Sequence, residues 1–398
     1  MEKETKVLGF EKNVFYSGLT SFFTDTSTKM VYSVMPLFLT SMGASKTSIS
    51  MIEGIAESTA SLLKAISGIW SDKIRKNKPF MIFGYGVTAL VTPLYALVGA
   101  PVHVLWLRFV ERVGKGLRAA PRDSLIAHSI RKEEAGKSFG FHKAMDNSGA
   151  ILGPLTAFAM LYFFPMNYRN IFIVAAIPAV IGVLTIIVLV KDRPAEPHAS
   201  RKKAELKQLP GKYYFFLVII ILFTLGNSTD ALLLVKTQET GVNNALVPLI
   251  YMLFNMVSVI LAVPIGKLSD RIGREKLIIA GFLVYALVYF LFGSFNDIRV
   301  FIPLFMLYGL YGALTDSSQK AIISDIVGKE VKGMGYGIYH AVLGITLFPA
   351  SLIAGLLYDK INASAPFYFG GTMALLAAVL MVFFTLFYMK KTKKEQAA

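Results

Sequence analysis

Between two apolar stretches the chain reads RFVERVGKGLRAAPRD, Arg108 to Asp123, with charge at seven of sixteen positions. On a helix Glu111, Lys115, Arg118 and Arg122 fall at i, i+4, i+7 and i+11 and form one stripe, with Arg108 and Arg112 on the adjoining strip. Acids able to meet these cations stand in other apolar stretches. FTDTSTKM carries Asp25 and Lys29, MIEGIAESTASLLK carries Glu53, Glu57 and Lys64, and FHKAMDNSG carries His142 and Asp146. A carboxylate removed from water holds its proton more tightly, and a nearby cation loosens that hold. An acid beside a movable arginine can therefore load and release a proton. The residues expected to do this are Asp25, Glu57 and Asp146. Arg112 and Arg118 are expected to tune them or to hold an anionic part of a ligand. The bland alternative is an interior ion-pair network that only holds helices together. Glu53 reads as a snorkelling carboxylate near a span end, His142 as a hydrated helix-end histidine, and His103 and His128 as interface residues.

The elements that must position these groups are membrane helices. The chain has 398 residues, is 55% hydrophobic and contains no cysteine, which excludes disulfides and thiolate chemistry. About twelve runs of bilayer length follow one another, the first from Val14 to Met42, the seventh from Tyr213 to Lys236 and the last from Pro366 to Met389. The fold class expected is all-α, with an amino-terminal six-helix bundle over 1–190, a polar, proline-punctuated linker over 191–212 and a carboxy-terminal six-helix bundle with a basic tail over 213–398. Charges at membrane depth are costly, so the stripe should face a partner or a water-filled cavity and not lipid.

Net charge is +16, and its distribution decides its meaning. DKIRKNKP, IRKEEAGK, the linker, DRIGREK, VGKEVKG and the tail KKTKK are basic, whereas the intervening GAP, FPMNYRN and TGVNN are nearly free of basic residues. This alternation places both termini in the cytoplasm. The basic excess serves orientation in a lipid bilayer, and no nucleic acid partner is expected. There is no phosphate-binding loop and no cluster at metal-ligand spacing, so neither ATP, a cofactor nor a metal is expected.

The halves repeat. GIWSDKIRK after the second span corresponds to GKLSDRIGRE after the eighth, and KSFGFHKAMDNSGAILGP in the fifth corresponds to KGMGYGIYHAVLGITLFP in the eleventh. Three motifs stand on this frame. G-x3-D-R-x-G-R is intact as Gly266, Asp270, Arg271, Gly273 and Arg274, and survives in the first half as Gly68, Asp72 and Lys73, with Arg75 and Lys76 in place of glycine and arginine. R-x5-G-x-G appears as Arg108, Gly114 and Gly116, and G-x8-G-x3-G-P as Gly140, Gly149, Gly153 and Pro154. With these motifs the whole chain resembles the major facilitator superfamily, and the third resembles that of its proton-coupled efflux antiporters.

The resemblance implies alternating access, one half rocking against the other around a midplane site. It implies that the loop motifs gate, that Arg108 lies in the central cavity, and that the glycines of the fifth span allow close helix packing while Pro154 bends it. It also implies a prokaryotic cytoplasmic membrane, because RVGKGLRAAPRD resembles a bacterial and archaeal group. Matching TSTK with NSTD brings Lys29 and Asp230 to equivalent positions of the two repeats, where they are expected to pair across the cavity in one state. The other charges expected inside the membrane in the second half are Lys236, Asp316 and Lys320. The function expected is proton-coupled antiport of a small organic molecule by a monomer, with the proton gradient as energy source. The alternatives are uptake or exchange of an anionic metabolite held by the arginine stripe, and a sensor or scaffold that binds without transporting.

Overall fold

The computed structural model describes residues 6–74, 76–130, 134–192, 208–227, 229–328 and 331–389. Among the described residues it is helical throughout: α1 (Lys12–Ser41), α2 (Lys46–Ile74), α3 (Lys78–Leu94), α4 (Pro101–His128), α5 (Ala135–Phe163), α6 (Tyr168–Leu189), α7 (Gly211–Gly226), α8 (Asp230–Gln238), α9 (Leu246–Ile272), α10 (Arg274–Ser294), α11 (Ile298–Ile326), α12 (Lys332–Lys360) and α13 (Ala365–Phe384).

Local chemistry starts and stops these helices. Proline opens α4 at its first position, where the missing N–H costs nothing. The side chain of Asn167 accepts from the Asn170 N–H at 3.0 Å to cap α6, and that of Asp297 accepts from the Arg299 N–H at 2.8 Å to cap α11. Gly273, at φ +98°, supplies the left-handed residue that separates α9 from α10.

Among the described residues, eight spans are long and apolar enough to cross a membrane. The remaining long helices, α1, α2, α4 and α5, carry the charged residues. The shortest of them, α4, has 28 residues and extends about 42 Å, which also covers a bilayer. On α6, Ile173, Ile177, Val180, Leu184 and Val188 recur every three or four residues and are all exposed, an apolar face suited to lipid.

The chain forms two compact units. Unit 1 comprises Met1–Ala44, Thr59–Ala199 and Asn243–Met252, and unit 2 comprises Ser45–Ser58, Ser200–Val242 and Leu253–Ala398. The start of α2 therefore folds with unit 2. There Asp359 accepts from the N–H groups of Lys46 (3.2 Å) and Thr47 (2.7 Å) and from the Thr47 hydroxyl (2.6 Å), satisfying donors at the helix start. A Cβ on Gly355 would lie 2.7 Å from the Thr47 Cα, so glycine lets α12 approach α2 at this level.

The seventh span corrects the expectation of a continuous helix from Tyr213 to Lys236. It is broken between α7 and α8, and among the described residues side chains from within unit 2 bond to backbone and side-chain groups at the break. Tyr285 donates to the Gly226 carbonyl at 2.9 Å, Asn227 donates to Tyr311 Oη at 2.9 Å, and Thr229 caps α8 by accepting from the Ala231 N–H at 3.2 Å. Hydroxyl and amide side chains of this kind are what allow irregular backbone at membrane depth. An aromatic core surrounds the break, with Phe223 stacked on Phe282 and Tyr285 on Tyr289 at centroid distances of 4.1 and 4.0 Å.

Candidate functional site

Unit 1 gathers charge around the contact of α1 with α5. A Cβ on Gly149 would lie 2.5 Å from the Phe22 carbonyl oxygen, and one on Gly153 would lie 2.4 Å from that of Thr26. Only glycine at both positions lets the α5 backbone lie directly on α1. This places Asp146 of α5 within electrostatic reach of Asp25 of α1, together with Lys115 and Arg118 of α4 and Lys29 of α1. Gly140, of the same motif, is different: a Cβ there would meet nothing within 4 Å. The expectation of close packing is corrected at that position; at Gly266 of the loop motif a Cβ also meets nothing within 4 Å.

The α4 stripe splits into distinct environments. Arg108 does not stand in a hydrated cavity: it is 1% exposed, and its NH1 donates to Glu111 Oε2 at 3.1 Å while Tyr95 Oη donates to the same oxygen at 2.7 Å. Its guanidinium also lies 5.4 Å from the ring centroid of Tyr32. The expectation that Arg108 lines a cavity is thus corrected to a buried ion pair in an aromatic setting, which costs less than a lone charge. Arg112 is buried, Lys115 is exposed, and Arg118 is buried. Arg118 stacks on Tyr85 at 4.1 Å and donates through NH1 to Thr88 Oγ1 at 2.7 Å and to the Gly84 carbonyl at 3.3 Å. Gly84 and Gly114 allow that approach, since a Cβ on Gly84 would lie 2.5 Å from the Gly114 carbonyl oxygen.

Arg122 gives two hydrogen bonds to Asp123 Oδ1, at 3.0 Å from Nε and 2.9 Å from NH2, and its NH1 lies 4.0 Å from Asp146 Oδ2. The second near neighbour of Asp146 corrects the sequence reading. His142 is no hydrated helix-end residue: it is 4% exposed, with Nδ1 3.9 Å from Asp146 Oδ2 and Nε2 2.9 Å from Ser21 Oγ. Glu53 likewise does not snorkel, being 1% exposed. Glu57 is half-buried on the stretch of α2 that folds with unit 2.

Lys29 donates to Tyr251 Oη at 3.1 Å and lies over the Tyr32 and Tyr251 rings, all within unit 1. Asp230, at the start of α8 in unit 2, accepts from Tyr308 Oη at 2.8 Å.

In the second-half loop motif, Arg274 donates to the Ala321 carbonyl at 2.9 Å and makes a short contact with the Asp325 carboxylate, tying the start of α10 to the end of α11. Asp325 lies outside every sequence motif, and only the fold brings it to Arg274. Arg271 is exposed. The side chains of Gly68, Asp72, Lys73 and Asp270 lie outside the described residues, as does Arg75. Ser21, Tyr85, Thr88 and Tyr95 belong to no sequence motif either. The one sequence signal was Ser21, which stands one helical turn before Asp25 on α1.

The model of the family described as Major Facilitator Superfamily matches residues 18–234 and 214–398. The chain belongs to the major facilitator superfamily. Like its relatives and structural neighbours, this major facilitator chain is a membrane transporter and not an enzyme. It is 34% identical over 381 residues to an MFS-type transporter of Methanocaldococcus jannaschii, with 94% of each chain covered. It is 24% identical over 374 residues to a multi-drug resistance efflux pump PmrA homolog of Lactococcus lactis, covering 89% of this chain and 91% of that one. Among solved structures, the peptide transporter POT in complex with sulfate aligns with a TM-score of 0.78 at 13% identity, covering 97% of this major facilitator chain and 96% of that one. The nucleoside transporter NupG aligns at 0.69 with 14% identity, covering 94% and 98%. These structural likenesses speak for the fold alone.

Proposed function

We propose that the chain exports a small organic molecule from the cytoplasm in exchange for protons, by alternating access. The observation that carries this reading is the gathering of two acids, Asp25 and Asp146, with Arg118, Arg122 and Lys115 in one unit of a membrane transporter. Acids and cations held together at membrane depth are expensive, and proton relays in transporters are where such a cost is met by a use. A proton added to either acid changes the balance between the acids and the arginines of α4, and so biases the two states of a rocking transporter. Glu57 of α2 is a third candidate acid.

Export as the direction is supported by the PmrA homolog, whose name describes a multi-drug resistance efflux pump. It is supported also by the Gly149 and Gly153 contact, which builds into α5 the motif that resembles the efflux antiporters. The arginine that would serve an anionic substrate best, Arg118, is engaged by Thr88, Gly84 and Tyr85, which favours its reading as a coupling cation.

The test is accumulation of a panel of lipophilic cationic dyes in intact cells expressing the chain, with and without a protonophore. Lower accumulation of at least one dye, abolished by the protonophore, is the expected result. Raised accumulation, or export indifferent to the protonophore, contradicts the reading.

A further inference from the structure

A line of side chains in unit 1 joins Asp146 to Arg118. It begins with Asp146 on α5, whose Oδ1 is buried and accepts no hydrogen bond from the protein. His142, one turn earlier, brings Nδ1 to 3.9 Å from Asp146 Oδ2 and Nε2 to 2.9 Å from Ser21 Oγ on α1. Ser21 Oγ lies 3.2 Å from Tyr85 Oη on α3, and the guanidinium of Arg118 on α4 covers the Tyr85 ring at 4.1 Å. His142, Ser21, Tyr85 and Arg118 are all buried.

Two features of this line call for a proton. A buried carboxylate oxygen with no donor is costly, and a proton on the neighbouring imidazole offsets the charge that the carboxylate carries. An imidazole with a hydroxyl on one nitrogen and a carboxylate beside the other is built to hold that proton. The gap of 3.9 Å between Nδ1 and Oδ2 lies between residues one helical turn apart, so a change of side-chain rotamer can close it.

We propose that Asp146 and His142 together bind one proton, and that Ser21 and Tyr85 pass the state of that site to Arg118. The proposal rests on the proton-coupled reading above and names the group that carries the proton. With the pair empty, the imidazole is neutral and the carboxylate ionised, so the pair carries one negative charge. Nε2 then accepts from the Ser21 hydroxyl, and Tyr85 donates to Ser21. A proton taken from water adds to the ring and the pair becomes neutral as a whole: Nδ1–H donates to Asp146 and Nε2–H donates to Ser21 Oγ. The Ser21 hydroxyl must then turn and donate to Tyr85 Oη. One proton thus reverses the direction of donation along the whole line, ending on the ring against which Arg118 is stacked. Release of the same proton to water on the other side restores the first arrangement: hydronium gives up an O–H proton to form the Nε2–H bond on loading, and that N–H bond breaks to re-form hydronium on release.

The charged and titratable groups facing His142 come from each neighbouring helix: Asp25 from α1, Tyr85 from α3 through Ser21, Arg122 and Asp123 from α4, and Lys143 and Asp146 from α5. Asp25 stands one turn from Ser21 on α1.

The test uses the full chain in lipid nanodiscs with isotope-labelled histidine, read by NMR across pH. The chain has five histidines, and His142→Gln identifies the signal of interest. The proposal predicts that this signal passes from a neutral ring with one N–H to a ring with both. At the pH where half the rings carry both protons in the intact chain, Asp146→Asn should lower that share to about one tenth, because the acceptor charge is gone. Ser21→Ala should leave the proton of the neutral ring on Nδ1 beside Asp146 but disfavour the doubly protonated ring, because the Nε2–H formed on loading then loses its acceptor. A His142 signal that holds one form across the pH range, or that titrates identically in the intact chain and in Asp146→Asn, overturns the proposal. Dye export that fails while His142 and Asp146 still titrate together would count against the antiport reading and leave the proton site standing.

Discussion

Gly153 of α5 lies so close to α1 that a Cβ on it would sit 2.4 Å from the Thr26 carbonyl oxygen and 2.7 Å from the Met30 nitrogen. The neighbour is backbone and cannot turn aside. Gly153→Ala should therefore push α5 off α1 and cost about 1–3 kcal/mol, read as a lowered thermal unfolding midpoint in detergent, with loss of transport. Gly140→Ala is the control. Its site is open, and it should be neutral or gain up to about 1 kcal/mol from helix propensity. Equal effects at the two positions would contradict the account of the motif.

The buried pair of Arg108 and Glu111 makes a second prediction. Glu111→Gln removes the charge that balances Arg108 and weakens the acceptor of Tyr95, and should destabilise the chain by roughly 3–5 kcal/mol. Replacing both with methionine should recover much of that loss, because a buried pair can be exchanged for apolar packing. Thermal unfolding of the single and double variants decides this, and a double variant no better than Glu111→Gln would sink the idea.

Arg118→Lys keeps the charge but loses the flat face on Tyr85 and the NH1 reach to Thr88 and Gly84. Export should fall by about tenfold or more, and Thr88→Val should fall less, since it removes a single hydrogen bond. If lysine supports export at the native rate, Arg118 acts as a charge alone and its stacking has no part in the mechanism.

Asp359 holds the first residues of α2 through two backbone N–H groups and one hydroxyl. Asp359→Ala should cost about 1–2 kcal/mol of thermal stability, in the range of a lost helix cap. Asp359→Asn should cost less, because the amide oxygen still accepts. Hydrogen exchange at Thr47 should rise in the alanine variant.

Much of the helical fold was legible in apolar run length, because it follows from the thickness of the bilayer and needs no tertiary information. The glycines at 149 and 153 were legible through the motif that carries the resemblance, and their spacing of four puts both on one helix face. Gly140 belongs to the same motif but stands nine residues before Gly149, half a turn out of phase, so helix geometry already puts it on the other face of α5. The break after Gly226 was invisible in hydropathy because Tyr285 and Tyr311 reach it from distant positions while Thr229 caps α8 locally. His142 misled because its place near a helix end suggested water, whereas Ser21 and the packing of α5 on α1 enclose it. Arg108 misled in the opposite sense, since the pattern around it suggested a cavity and Glu111, three residues on, closes over it.

The measurement that bears most directly on proton-coupled export is flux in proteoliposomes of known orientation loaded with an internal pH dye, under an imposed proton gradient. A dye first shown to be exported by intact cells is added, and the intact chain is compared with Asp25→Asn. The account predicts proton movement opposite to substrate movement in the intact chain. In Asp25→Asn it predicts loss of that proton movement together with loss of uphill transport. Substrate movement without proton movement, unchanged in Asp25→Asn, would contradict it.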